Sequence, residues 1–364
     1  MSPTSRILGL FAALALIAAA CGGGSSAETT TTAAATTSSS SSTTSSSSST
    51  TTTDEATTTR GTVPEVPDSL LSPVNGLPAV SEEGLTRRVL AVKVDNHPDA
   101  RPQSGLPEAD AVVELLVEGG FTRFIALFHD NDSVYLGPVR SVRPTDSTIA
   151  AALDATLVIS GGQPWVQNLA ASRGVPLMSE GSTGIFRIGS RVAPHNLFAD
   201  TTALRETADS RGHSDEFGNP LYEIAGWDTL PDALAPTIEL DWAPGHQVTW
   251  RYQDGEYLRW EGSIEHRWVS RDGQSGGQLS ADVLVILVGT QYAATGDGKS
   301  LPATETTGSG QAYVFSEGRV MSGTWARASV DDSFTLTADD GSPMTVPPGR
   351  PWVQIFPHNR FLDW

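Results

Sequence analysis

Arg101, Arg123, Arg140 and Arg143 crowd into the stretch Arg101–Pro144 of a chain whose formal net charge is -19. Arginine offers a planar fork of donors that matches carboxylate and phosphate. Arg140 and Arg143 lie in Gly137–Pro144, which has no regular period. Thr145, Asp146 and Ser147 follow, and then Ile149, Ala152 and Leu153 at helical spacing. That pattern predicts a helix with Thr145 or Asp146 as its N-cap. Free amides and the dipole at such an end favour anions. The expected ligand-binding set is Arg101, Arg123, Arg140, Ser141, Arg143, Arg191, His195 and Asn196. The alternative is that Arg140 and Arg143 tie down a loop through carbonyls and internal acids.

Acid–base chemistry has fewer candidates. His195 is flanked by a proline turn and close to Arg191, and imidazole titrates near neutrality. Glu114 and Glu118 could instead act as paired carboxylates beside Arg123, an arrangement glycosidases use, or form a cross-strand ion pair. No His-x-x-x-His or His-Glu pairing suggests a metal ligand set, and no cysteine is placed to act as a nucleophile. The expectation is no metal and no cofactor. Trp250, Trp260, Trp268, Trp325 and Trp352 either line a sugar-binding face or fill a core.

The elements that must hold these residues can be read from periodicity. Val89–Asp95 reads as a buried strand. Ala111–Glu118 alternates, Gly119-Gly120 is a two-residue hairpin signal, and Phe121–Phe128 returns. That loop length places Leu116 opposite Arg123, with Glu114, Glu118 and Arg123 on one face and Val113, Leu115, Val117 and Phe124 in the core. Thr156–Ser160 is a short strand running into Gly161-Gly162, with a helix over Trp165–Arg173. In αβ arrangements of this kind ligands gather at strand C-terminal ends. A second helix spans Thr202–Ser210. Beyond Pro231–Pro236 strands dominate. Val248–Tyr252 with Tyr257–Trp260 is one hairpin and Tyr313–Phe315 with Arg319–Met321 another. Ala281–Gly289 is a central strand, and Trp352–Phe356 is read with Asp340-Gly341 as a last hairpin.

The chain ends and the charge balance bound the function class. Arg6 precedes an apolar run, Ile7–Ala20, that is too short to span a bilayer, so residues 1–20 read as a signal peptide. Ala18-Ala19-Ala20 leads directly into Cys21, the only cysteine. This resembles the lipobox of bacterial lipoproteins, which implies lipidation at Cys21 and an extracytoplasmic protein anchored to the cell membrane. Residues 21–62 are rich in serine and threonine and read as a disordered linker. As a flexible coil it would hold the rest roughly 30–35 Å from the membrane. An α/β domain is expected over 63–232 and a mostly-β domain over 233–364, an α+β class. The acidic balance excludes a general nucleic-acid binder.

Ala100–Leu106, Ala109-Asp110, the Glu114–Arg123 hairpin, Gly137–Pro144 and Ala193–Leu197 together resemble the YerB-like family of bacterial lipoproteins of unknown function. Gly308-Ser309-Gly310, Gly323-Thr324-Trp325 and Gly349–Trp352 extend the resemblance through the second half. It implies a layered α/β part followed by a mostly-β part, and it brings no catalytic residues. Two functions remain open. One is a non-catalytic envelope lipoprotein binding an anionic wall polymer, peptide carboxylate or lipid headgroup. The other is an envelope hydrolase or transferase using His195 or Glu114/Glu118.

Overall fold

The computed structural model describes residues 70–82 and 84–364, so the leader, Cys21 and the serine- and threonine-rich segment lie outside the described residues. The described residues belong to one compact unit. Its spine is a ten-stranded mixed sheet. Val89 and the strand β1 (Leu90–Asp95) are apolar at nearly every position, as a strand covered on both faces must be, and all six residues of β1 are buried. β2 (Ala111–Leu116) and β3 (Thr122–Phe128) pair antiparallel, β3 pairs antiparallel with β1, and β1 runs parallel to β4 (Thr156–Val158) and then β5 (Leu177–Met178). On the other side of β2 the sheet continues through Pro351–Pro357, Val283–Gly289, Gly308–Ser316, Arg319–Arg327 and Thr335–Ala338.

Strand alternation divides the core in two. One face carries Ala91, Val113, Leu115, Ile125 and Leu127 against α1 (Asp146–Ala152) and α2 (Pro164–Ser172), through Ile149, Leu153, Val166 and Ala170. The opposite face carries Val92, Val112, Phe124 and Ala126. It packs on α3 (Thr201–Ser210) and on a second sheet containing β6 (Thr237–Ala243), β7 (His246–Gln253) and β8 (Glu256–Glu261). The class is α+β, with a mixed first part and a mostly-β second part. Among the described residues no helix is long and apolar enough to cross a membrane.

Two sequence expectations are corrected here. Glu118–Gly120 form a three-residue turn closed by Val117 N–H donating to the Phe121 carbonyl, with both glycines at positive φ, 74° and 76°. The extra residue shifts the register, so Leu115 faces Arg123 and Glu114 faces Phe124. A slip of one flips every side chain to the other face. Glu114 and Phe124 therefore point toward the second sheet, while Arg123 shares the opposite face with Leu115. Pro351–Pro357 is not half of a hairpin but lies parallel to both β2 and Val283–Gly289. The β7–β8 hairpin forms as read, with Asp254 and Gly255 at φ 54° and 98°, the left-handed pair such two-residue turns require. Trp250, Trp325 and Trp352 are core residues, 0–2 % exposed.

Candidate functional site

The site forms where β1 and β4 end. Parallel strands diverge beyond their C-terminal ends, and the segment after Gly137 fills the gap. Asp95 N–H donates to the Pro138 carbonyl, Arg140 N–H to Lys93, Ser160 N–H to Arg140 and Val142 N–H to Gly161. Backbone bonding on both sides explains why Gly137–Pro144 shows no side-chain period: its order comes from the neighbouring strands. The same bonds fix Arg140 beside the last residue of β1.

That residue, Asp95, is the hub. It is 2 % exposed, and its Oδ2 lies 2.9 Å from His195 Nδ1 and 3.1 Å from Arg140 Nε. Its Oδ1 lies 3.6 Å from Arg123 Nε, a looser ion pair. Arg123 also donates through Nη1 to the Ser141 carbonyl at 3.0 Å. Burial, and next the charge of Arg143, push the Arg123 guanidinium down to about 10, against the pull of Asp95. Arg143 itself binds Glu118 at 2.6 Å. Half-burial would raise the Glu118 carboxyl, but the hydrogen bond and charge of Arg143 outweigh it and hold that group below its usual range. Arg123, Arg140, Arg143 and His195 thus gather around Asp95 and Glu118.

The remaining expected residues are placed elsewhere. Arg101 donates to Asn96 Oδ1 and the Asn96 carbonyl, at 3.0 and 2.9 Å, and pairs with Glu261 at 3.1 Å. Arg191 donates to the carbonyls of Ala100 and Pro102. Arg101, Arg191 and His195 nevertheless border a common cleft of about 560 Å³ with Asp99, Val192, Ala193 and Pro194. The Ser141 hydroxyl lies 3.3 Å from that of Ser160. Asn196 accepts from Arg187 at 2.6 Å.

Two expectations about the chemistry change. The helix after Pro144 has only seven residues, and its first turn supplies its own anion. Asp146 Oδ1 takes the buried Lys93 ammonium at 2.6 Å, and its Oδ2 accepts the Arg143 amide at 2.7 Å. Thr145 occupies the cap position, but its hydroxyl accepts from Thr304 N at 3.0 Å instead of capping the helix. The helix end therefore has no vacancy for a ligand. Glu114 is sealed between the two sheets, 0 % exposed. It accepts from Arg259 at 2.8 Å, Trp352 Nε1 at 2.9 Å and Thr122 at 2.7 Å. No substrate reaches it there.

Sequence reading passed over Asp95, His97 and Asp99. The available signal was positional: polar residues at and just beyond the C-terminal end of a buried strand stand where α/β sheets collect ligands.

The N-terminal model of a family described as protein of unknown function (DUF3048) matches residues 74–214, and its C-terminal model matches residues 238–353. A protein of Bacillus subtilis (strain 168) named as a lipoprotein, YerB, is 28% identical over 309 residues, covering 82% of this chain and 89% of that one. The crystal structure of the Bacillus subtilis YerB protein superposes with a TM-score of 0.68 at 24% identity, covering 81% of this chain and all of that one, a likeness of fold. With both models matched in order across the two parts of one continuous sheet, the chain belongs to the DUF3048 family, whose relative here is YerB.

Proposed function

We propose that this chain is a lipid-anchored protein of the bacterial cell envelope that binds an anionic ligand at Arg140, flanked by Arg123 and Arg143. The anchor reading rests on Cys21 after its run of small residues and on the relative named as a lipoprotein. The ligand reading rests on one observation. Arg140 is fixed by its backbone and by Asp95, yet neither of its terminal nitrogens has a partner among the described residues, and its side chain is 22% exposed. Three guanidinium groups stand against two carboxylates, Asp95 and Glu118, so the local balance reverses the sign of the whole chain. A wall polymer phosphate, a peptide carboxylate or a lipid headgroup would supply paired acceptor oxygens for such a fork to donate to.

Calorimetric titration of the full chain in detergent micelles with inorganic phosphate and with acetate tests the reading. Arg140→Ala should weaken binding by about 1.5–3 kcal/mol, the scale of a hydrogen bond to a charged group. Arg140→Lys should restore part of it, because the charge returns without the fork. Equal affinity across the three proteins would remove the site.

A second reading, an envelope hydrolase or transferase, is favoured by the 2.9 Å contact between Asp95 and His195. A carboxylate on Nδ1 orients an imidazole whose Nε2 then faces outward as a general base. Release of soluble fragments from purified cell walls incubated with the chain separates it from pure binding.

A further inference from the structure

His97 and His195 come from different loops, ninety-eight positions apart in the sequence, yet their rings stack at a 5.2 Å centroid distance and 19°. Asp99 adds a carboxylate. One ligating atom from each of His97, Asp99 and His195 can be chosen so that all lie within 4.8 Å of one another. We propose that these three residues bind a divalent transition metal of the zinc class.

The chemistry of the donors fits that class: two imidazoles and one carboxylate are common zinc ligands. Ligands about 2.0–2.1 Å from a tetrahedral ion stand roughly 3.3 Å apart. His97 Nδ1 and Asp99 Oδ2 are 3.5 Å apart, so that edge is nearly formed. His97 initiates the short turn Pro98–Ala100, which brings the Asp99 amide and carboxylate back toward its Nδ1. His97 Nδ1 accepts the Asp99 amide at 3.2 Å, and metal binding through Nδ1 would release that bond. The bond is long and solvent-exposed, so its loss costs little. The 76 % exposed Asp99 side chain is free to rotate onto an ion.

His195 supplies the most specific argument. Its Nδ1 is engaged by Asp95 Oδ2 at 2.9 Å, which leaves Nε2 for the ion. A carboxylate on the far nitrogen of a ligating histidine fixes its tautomer and ring orientation and makes it more basic. Asp95 is held in turn by Arg140 and Arg123. An isolated surface histidine does not need so heavily braced a partner. Three protein ligands leave at least one coordination position open. It would face the cleft that Arg101, Arg191 and His195 border, where water or an oxygen of an anion could complete the shell. The inference does not depend on anion binding at Arg140.

The test uses the full chain, purified in detergent without a histidine tag and stripped with a chelator. Zinc is titrated first and cobalt second, with the visible spectrum reporting cobalt geometry. The expected result is one ion per chain, with cobalt bands of a four- or five-coordinate nitrogen–oxygen site. His97→Ala and Asp99→Ala should each lower affinity at least about tenfold, and the double variant His97→Ala/His195→Ala should abolish stoichiometric uptake. His97 is partly exposed, so its variant probes the site without disturbing a core. Asp95→Asn should lower affinity about 10–100-fold while keeping one ion per chain, the effect of removing a positioning carboxylate. His358→Ala, an exposed histidine outside the cluster, should change nothing. Uptake below one ion per chain in the unaltered protein, or uptake retained by the double variant, would overturn the proposal.

Discussion

Two clusters in this protein are built from the same parts, arginine, carboxylate and histidine, and differ in what they leave over. Between the sheets, Arg259 binds Glu114 at 2.8 Å and Glu261 at 2.6 Å, and His266 reaches Gln103 at 2.8 Å. Arg259 and Glu114 are wholly buried, and Phe124, Trp250 and Trp352 surround the guanidinium at 5.4–5.6 Å. Burial would depress the Arg259 guanidinium, but Glu114 and Glu261 outweigh it and raise it above its ordinary value. At the end of β1, Asp95 lies 2.9 Å from His195 and 3.1 Å from Arg140, and the terminal nitrogens of Arg140 and Nε2 of His195 have no partner among the described residues. Composition does not separate the two clusters; unused hydrogen-bonding capacity at a surface does. The first holds sheets together, and the second can hold something else.

The largest expected effect comes from breaking the inner cluster. Glu114→Ala leaves Arg259 buried with only part of its compensating charge, which should cost about 3–5 kcal/mol. Urea unfolding followed by tryptophan fluorescence would measure it. A loss under 1 kcal/mol would mean that the inner cluster, like the outer, is dispensable for folding, and the contrast would fail.

A third setting sharpens the contrast, a histidine with no partner. Among the described residues neither ring nitrogen of the buried His129 has a hydrogen-bond partner, and the ring packs on Phe217 at 4.9 Å. Burial first, and then the charges of Arg205 and Arg87, push its imidazole down to about 4 from an ordinary 6.5. Below pH 6.5 the unfolded chain takes up a proton that the folded chain refuses. Stability present above that pH is therefore lost progressively toward pH 4, by up to roughly 3 kcal/mol in all. Urea midpoints at pH 7 and pH 4.5 should differ accordingly, and His129→Gln should flatten that part of the slope. An unchanged slope would assign the acid sensitivity to other groups.

The smallest effect tests the outer cluster. Glu118 is 39% exposed in its pair with Arg143. Glu118→Gln should cost under about 1 kcal/mol of stability, as half-exposed pairs do. It should also tighten phosphate binding several-fold, because it frees a second fork beside Arg140. Weaker binding in that variant would place the ligand away from Arg143.

The elements themselves were legible from pattern. The apolar run before Asp95, the helices after Gln163 and Asp200 and the Asp254-Gly255 hairpin all follow local rules, and local rules govern them. The register of β2 on β3 was not legible, since Gly119-Gly120 serves a two- or a three-residue turn equally well and the choice belongs to the packing of Phe124 and Glu114 against the second sheet. The arginines were found because their type is conspicuous in an acidic chain. Asp95 was not, because a carboxylate at a strand end looks ordinary until His195, a hundred positions later, is folded against it. The same distance hid His97 and Asp99 from any spacing motif.

The place of Pro351–Pro357 in the sheet has a consequence for the order of events. It is the seam between the two family halves, lying parallel to β2 on one side and to Val283–Gly289 on the other. Every strand it joins precedes it in the chain. Without it, β2 and Val283–Gly289 would each have one edge with no strand paired to it. Parallel pairing across more than two hundred residues is among the slower steps a chain can take. A stretch of this chain that stops short of Pro351 therefore lacks the strand that joins those two edges, so neither edge finds its native neighbour within such a piece.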